Sequence, residues 1–384
     1  MGFSSTDDFI NEITTNGKFW RADWNKNALP TTTQVVGAWH SLGRGAGNPA
    51  AESLLGAGTN LTLQAGYHDV TPNAGGIPHG GNVSPDTKHV LNVSAFSAAA
   101  TTMPCVFMLV DVLAHYPITT TTTITSQALV DSVTFTAANA TDIITHTGYD
   151  IATFSRVRVS NSGGALPAGL AAATDYWTIR QSATTSKLAS SLANAVAGTA
   201  VDFTTDGTGT QTITVGLPRY TTGANVQAFH VPSTVMGAGT PNLSWGTSGY
   251  TNSAGVTGRA MPSSPALPAL TTTAPVGTLD ASGTGAGKYG PFLPLASGDS
   301  GIRSIQSVQY SATRTSGVGN IVLCRPLVTL PMTTVGVAAE RDLLNQIPSL
   351  PQIFDGACLQ WLMYAGAATP VNSAFYGHID FGWG

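Results

Sequence analysis

From Thr33 onward, short apolar and β-branched runs alternate with clusters of Gly, Pro and Asn, the pattern of many short strands joined by turns. Strands are predicted at residues 34–42, 61–67, 89–96 and 105–116. The last of these, CVFMLVDVLAHY between Pro104 and Pro117, is long enough to be a helix. Its Val106, Phe107, Val110 and Val112, with a proline on each side, favour instead a strand buried on both faces. Ahead of this β-rich texture the pattern is helical: residues 4–6 supply capping hydroxyls, Asp7 and Asp8 suit a helix N-terminus, and Phe9, Ile10 and Ile13 recur at helical spacing. A short helix or arm follows from this, with Phe19, Trp20 and Trp24 as an apolar payload that docks on the body or reaches a neighbouring subunit.

After a threonine-rich run at residues 117–126 the texture changes. Residues 130–215 read as a compact unit of seven short strands, at 132–136, 142–145, 156–160, 176–181, 186–189, 201–203 and 211–215. The stretches SGGALP (162–167), Ala197-Gly198 and TDGTGT (205–210) mark its turns. Further strands are predicted at 227–231 and 243–250. Residues 259–288, rich in Pro, Gly, Ala and Thr and stiffened by Pro262, Pro265, Pro268 and Pro275, read as a long loop extending to another subunit. One late helix is expected at 337–346, followed by closing strands at 358–364 and 374–381. In the last strand Phe375, Gly377, Ile379 and Phe381 share one face and Tyr376, His378 and Asp380 the other.

Residues 289–325 combine a lead-in segment, a long strand, a glycine-broken turn and a second strand. Ile302, Ile305 and Val308 are three apart, so an uninterrupted strand cannot place them all on one face. A β-bulge at residues 304–306 resolves the conflict and turns Val308 and Tyr310 inward.

Composition adds a constraint on the surface. Only 9% of the 384 residues are charged, against about 25% in ordinary soluble domains. Charge keeps free monomers dispersed and blunts sheet edges, so a surface this poor in charge implies cover by other subunits. With 42% apolar residues the chain folds rather than staying disordered. The net charge is -4 and the basic residues are scattered singly, which leaves no electrostatic footprint for nucleic acid. The first residues lack the basic and apolar regions of a signal peptide, and no apolar run reaches the length of a membrane helix. Cytoplasmic synthesis without a membrane span is therefore expected, and the sequons at Asn60 and Asn92 are chance matches. Cys105, Cys324 and Cys358 lie in apolar runs without CxxC or Cys/His spacing, which predicts buried free thiols.

Candidate chemistry is sparse. Gly298-Asp-Ser-Gly301 matches the nucleophile motif of chymotrypsin-like proteases, in which Ser300 would need an imidazole base, a buried carboxylate and oxyanion donors. The motif is not extended in the protease manner, and His40 lies in GAWHSLG rather than a protease context. A tight turn, with Asp299 and Ser300 bonding to local backbone, is the expected reading. Gly43-Arg-Gly-Ala-Gly47 lacks the spacing and flanking elements of a phosphate-binding loop and reads as a flexible surface loop. His68, Asp69, His79, Asp86 and His89 form the richest polar set, but their Pro- and Gly-rich spacing fixes none of them on one face, so neither a metal nor another cofactor is expected. Arg303, Arg314 and Arg325 lie around the 289–325 stretch and read as isolated surface ions or interface partners.

The phrases NSGGALPAGLAAATDYWTIR, KLASSLANAVAGTAVDF and TDGTGTQTITV resemble a small β module inserted in many structural proteins of tailed bacteriophages. SPDTKHVLNV, YGPFLPLASGDSGI, ERDLLNQIPSLPQIFDGACL and the terminal IDFGWG resemble phage virion proteins more broadly. The strand pattern predicts a mainly β fold, and the resemblance implies its form. That form is a jelly-roll-like β-sandwich from residues 1–125 and 217–384, with a short N-terminal helix or arm, interrupted by a small inserted β domain at 126–216. The resemblance further implies a non-enzymatic virion protein of the capsid decoration, cement or minor capsid kind, assembled in the bacterial host cytoplasm. Its partners would be copies of itself, as a trimer or higher oligomer, and other virion proteins such as the major capsid protein, with no direct nucleic acid or membrane contact. Two alternatives fit the same sequence features. A tail or receptor-binding protein would carry a shaft repeat or an aromatic sugar platform, for which only Tyr176 and Trp177 of the insert qualify. A major capsid protein fits by size, but low charge and sparse helix argue against the common tailed-phage shell fold.

Overall fold

The structure, a computed structural model, describes residues 3–27, 37–51, 68–69, 75–97, 104–119, 127–128, 132–146, 151, 153–237, 243–244, 246, 248–260, 277–279, 290–310, 312–313, 315–346, 350–367 and 373–384. The predicted strand at 61–67, the sequon at Asn60, Arg314 and most of the 259–288 loop lie outside them. In chain order, helix α1 (Thr6–Thr14) precedes β1 (Phe19–Asn27), β2 (Ala38–Ser41), β3 (Lys88–Ala95) and β4 (Cys105–Thr119). Then come β5 (Ser132–Ala138), β6 (Ile143–His146), β7 (Arg156–Ser162), β8 (Asp175–Ser182), β9 (Thr185–Ala189), α2 (Leu192–Val196) and β10 (Thr210–Val215). The chain continues through β11 (Gln227–Pro232), β12 (Tyr250–Asn252), β13 (Ile302–Ile305), β14 (Ser307–Tyr310) and β15 (Val318–Met332). It closes with β16 (Ala339–Asp342), α3 (Leu343–Gln346), β17 (Leu359–Ala365) and β18 (Ala374–Trp383). The fold is mainly β, 48% strand and 7% helix, and its named strand pairs are antiparallel.

Two sheets face each other as a sandwich. One has the order β16-β3-β18-β1, with Gly47–Asn48 at its edge; the other runs β11-β15-β4-β17-β2, with Thr278–Leu279 at its edge. Between them lie Trp24, Val90, Val93, Phe375, Ile379 and Phe381 from the first sheet and Phe107, Leu109, Leu330, Trp361 and Met363 from the second. The rings of Trp24 and Trp361 sit 5.5 Å apart, and those of Phe107 and Phe375 also 5.5 Å apart, in tilted and edge-on contacts that add to area burial. The expected faces of β18 hold: Phe375, Ile379 and Phe381 are in this core, while Tyr376 is exposed.

β4 is a strand, as its β-branched and aromatic residues predict, and it is buried on both faces. Phe107 and Leu109 face the first sheet, while Val110 and Val112 pack under Phe229, Val322 and Leu362 on the opposite side. It does not stop at Pro117 but continues to Thr119 beside β15. A register shift at Leu113 turns Ala114, Tyr116 and Ile118 into a third cluster, so one strand serves several cores.

Residues 132–215 supply a closed six-stranded barrel of order β7-β8-β9-β6-β5-β10. Phe135, Ile144, Val157, Val159, Leu188 and Ile213 fill it, and its apolar cluster is continuous with Tyr116, Tyr250 and Ile302 of the body. Closure leaves no unpaired sheet edge in this unit.

Four sequence expectations are corrected. Residues 19–27, expected as an apolar payload that docks on the body or reaches a neighbouring subunit, do dock on the body, but as a strand that was not expected, β1, whose Ala22, Trp24 and Lys26 point inward while β18 pairs along its whole length. Residues 339–342, expected in a helix, form β16 against residues 92–95 of β3, and only α3 remains helical. Pairing at a sheet edge outweighs the helix propensity of Ala339-Glu-Arg-Asp342. Residues 201–203 are not a strand: Val201 N donates to Leu188 O (2.7 Å), Phe203 N donates to the Asp142 carboxylate (2.9 Å), and the Phe203 ring is buried among the barrel residues. Just before them lies the unexpected α2, capped by Ser191, whose Oγ accepts from Asn194 N at 3.1 Å.

The β-bulge predicted at residues 304–306 lies one residue earlier, at Arg303, and a strand break follows inside the predicted range. Asn252 pairs with Ile302 and Thr251 with Ser304, so Arg303 is the extra residue, and the strand breaks at Gln306. Val308 and Tyr310 then point inward, buried at 0% and 4% exposure.

Candidate functional site

The GDSG tetrapeptide begins in a turn in which Asp299 N donates to Ala296 O, and Gly298 has φ of +84°, a conformation that favours glycine. Its side chains bond far from the turn rather than to local backbone. The Asp299 carboxylate accepts from Tyr250 Oη (2.6 Å), Asn252 Nδ2 (2.7 Å) and Arg259 Nε (2.8 Å). The Arg259 hydrogen bond comes first among the causes that hold this carboxyl at about 2, against the burial that opposes it. Burial and the bond to Asp299 push the Tyr250 phenol up to about 12. Ser300 Oγ is exposed and shares a hydrogen bond of 3.1 Å with Ser253 Oγ. A serine nucleophile needs an imidazole base and an orienting carboxylate that is still free to accept from it. Among the described residues the side-chain partner of Ser300 is a serine, and the carboxylate beside it is occupied by three other donors. The arrangement ties strand β12 to the turn before β13.

A second Ser/His/Asp grouping, invisible in the sequence because its members are 284 positions apart, lies on the outer face of the first sheet. Ser94 Oγ and His378 Nδ1 share a hydrogen bond of 2.8 Å, and His378 Nε2 is 3.9 Å from Asp380. That distance is beyond a hydrogen bond. Asp380 instead takes a bidentate pair from Arg21, at 2.7 and 2.8 Å, and Ser94 Oγ accepts the His378 backbone N–H at 2.9 Å. These contacts lock a strand ladder and leave the serine oxygen tied to backbone.

The polar set from residues 68–89 is dispersed. His68 and Asp69 form a short strand beside β4. Asp86 pairs with Lys18 at 2.8 Å. His89 is pushed below its ordinary value by burial. His79 is the buried member: its Nε2 lies 3.2 Å from Ala357 O and its Nδ1 accepts from Lys88 Nζ at 3.1 Å. Burial, and next the Lys88 charge, bring His79 down to about 4, which keeps it neutral and able to accept. The Lys88 ammonium, itself fully buried, also donates to Gly81 O and lies 3.8 Å from Asp355. Among the described residues no group of three or more His, Cys, Asp or Glu could hold a metal ion.

The glycine-rich 43–47 segment is packed, not a flexible surface loop. A Cβ at Gly45 would sit 2.2 Å from Asn27 O and one at Gly47 2.1 Å from Asn25 O, so these glycines let the backbone approach β1. The buried Lys26 ammonium donates to Gly45 O (3.2 Å) and Ala50 O (3.1 Å).

Beneath β4, Asp111 and Arg219 form a buried bidentate pair of 2.9 and 2.7 Å, and Asp111 Oδ1 also accepts from Cys358 N at 2.9 Å. Burial, the largest single influence, would lower the Arg219 value, but the Asp111 charge and hydrogen bond, with smaller contributions from neighbouring groups, leave it raised. Arg325 donates to Ala224 O and lies over the Tyr220 ring at 5.1 Å. Tyr176, one of two candidate sugar-platform rings, is buried and its Oη accepts from Ala171 N, whereas Trp177 is half-buried. The three cysteines are buried and form no disulfide, with the Cys105 thiol pushed up to about 12 by burial. No family model matches the chain, and no curated protein matches it.

Proposed function

We propose that the chain is a structural, non-enzymatic component of a tailed-phage particle, most specifically an oligomeric capsid decoration, cement or minor capsid protein. The observation that carries this reading is that most of the few arginines are engaged in contacts within the chain, some of them at its surface. Arg21, Arg156, Arg158, Arg219 and Arg259 pair with carboxylates, and Arg44, Arg325 and Arg341 donate to backbone carbonyls. Little charge is left to disperse a free monomer, which favours a surface completed by other subunits. The absorbed Asp299 and the tied Ser94 and Ser300 favour a binding rather than a catalytic role.

The sandwich is, in this reading, of jelly-roll type. Consecutive strands support it by alternating between the two sheets, β1 to β2, β3 to β4, β15 to β16 and β17 to β18. In the assembled virion the partners are copies of this chain and the major capsid protein. Quantitative mass spectrometry of purified particles tests the proposal through copy number. Hundreds of copies per particle are expected; about a dozen or fewer would transfer the chain to the tail or a portal vertex, and absence from the particle would end the structural reading.

A further inference from the structure

Where the barrel meets the body, a cleft of about 330 Å³ is lined by Arg156 and Arg158 of β7, Thr214 of β10, Thr222 of the connecting segment, and Arg303 and Ser304 of β13. Three of the sixteen basic residues of a charge-poor chain thus converge on one cavity, and among the described residues no acidic side chain lines it. Asp175, the nearest counter-charge on the barrel side, accepts from Arg156 Nε (2.9 Å) and Nη2 (2.5 Å) and from Arg158 Nε (2.5 Å). Its carboxyl is therefore held below its ordinary value: burial would raise it, and the Arg158 and Arg156 hydrogen bonds more than offset that. One carboxylate against three guanidiniums leaves two positive charges uncompensated.

The donors are also incompletely used. Arg156 is 8% exposed and fixed by Asp175 and by a 3.4 Å bond to Leu217 O, so it acts as the rigid floor. Among the described residues, Arg158 bonds through Nε alone and Arg303 through a 3.3 Å contact from Nη2 to Ser253 O. Guanidinium forks bind planar or tetrahedral oxyanions through paired N–H donors, and adjacent threonine and serine hydroxyls complete such a shell. Arg303 is brought here by the bulge in β13, which makes it the unpaired extra residue of that strand.

We propose that this cleft binds a small oxyanion, a phosphate or carboxylate group free or borne on a sugar, and that the bound anion bridges barrel and body. The inference goes beyond a structural role in the particle and does not depend on it. Isothermal titration of the purified chain with inorganic phosphate, and separately with a hexose 1-phosphate, tests it alongside the variants R158Q, R303Q and R158Q/R303Q. These arginines are exposed, so the variants keep the fold, which circular dichroism verifies. Saturable phosphate binding that weakens about tenfold in each single variant, and is lost in the double variant, is the expected result. R303K retaining more affinity than R303Q would support the charge requirement. Tighter binding of the hexose 1-phosphate identifies a saccharide-borne anion, and equal binding identifies the anion alone; both uphold the site. Failure of both probes to bind, or binding that R158Q/R303Q leaves unchanged, overturns it.

Discussion

The barrel and the sandwich solve the same burial problem over very different sequence distances. Each barrel pairing joins strands inside residues 132–215, whereas the sandwich is closed by β1 against β18, with Arg21 bonded to Asp380, 359 positions later. The barrel is held by an apolar filling and has its ion pairs at the rim. The sandwich places a bidentate ion pair, Asp111 with Arg219, fully inside. Local pairing costs less loop entropy, which predicts that the barrel behaves as the self-sufficient unit and the sandwich as the part that depends on long-range contacts.

The most damaging way to separate the two regions is Asp111→Ala. It strands the Arg219 charge and the Cys358 N–H and destabilises by about 4 kcal/mol. Hydrogen exchange should show lost protection in β4, β15 and β17 while β7 to β10 stay protected. The converse is Ile213→Ala, which opens a cavity in the barrel at a cost of about 3 kcal/mol. Loss of protection confined to residues 132–215 is expected; equal loss in the sandwich would show that the continuous apolar cluster makes them one cooperative unit.

Acid should act on the sandwich first. His79 has a folded value of about 4 against an ordinary 6.5, so the folded state binds fewer protons than the unfolded one between these values. Stability is complete above pH 6.5 and falls by about 3 kcal/mol as the pH drops to 4, with His89, also lowered, adding in the same direction. A further step belongs to Asp299, whose contribution is present above 3.8 and is lost as the pH falls through about 2. Urea titrations at stepped pH would check both, and His79→Gln should flatten the first. At the small end, Asp299→Ala should cost about 2 kcal/mol by leaving the Tyr250 hydroxyl without its acceptor, while the exposed Ser300→Ala should stay within about 0.5 kcal/mol.

The same contrast governs how much could be read from the sequence. In the barrel, turns such as those at 162–167 and 205–210 punctuate strands that pair nearby, and six of the seven expected strands are present. The exception, 201–203, has the right residue types, but its N–H groups bond to Leu188 O and Asp142 as Phe203 packs into the barrel. In the sandwich, β16 was hidden because Ala339-Glu-Arg-Asp342 has helix-forming chemistry and acquires its strand only from β3, more than 240 positions earlier. β1 was hidden by its aromatic density. The spacing of Ile302, Ile305 and Val308 did reveal an irregular strand, because burial demands a break in the period of two. Site chemistry was the least legible: the partners of Asp299 lie 40 to 49 positions away, and Ser94 and His378 meet only through sheet register.

The central claim is the proposed cover of a charge-poor surface by other subunits, and sedimentation velocity of the purified chain across the micromolar range tests it directly. A discrete closed oligomer of three or more copies is predicted. A monodisperse monomer throughout that range would contradict it.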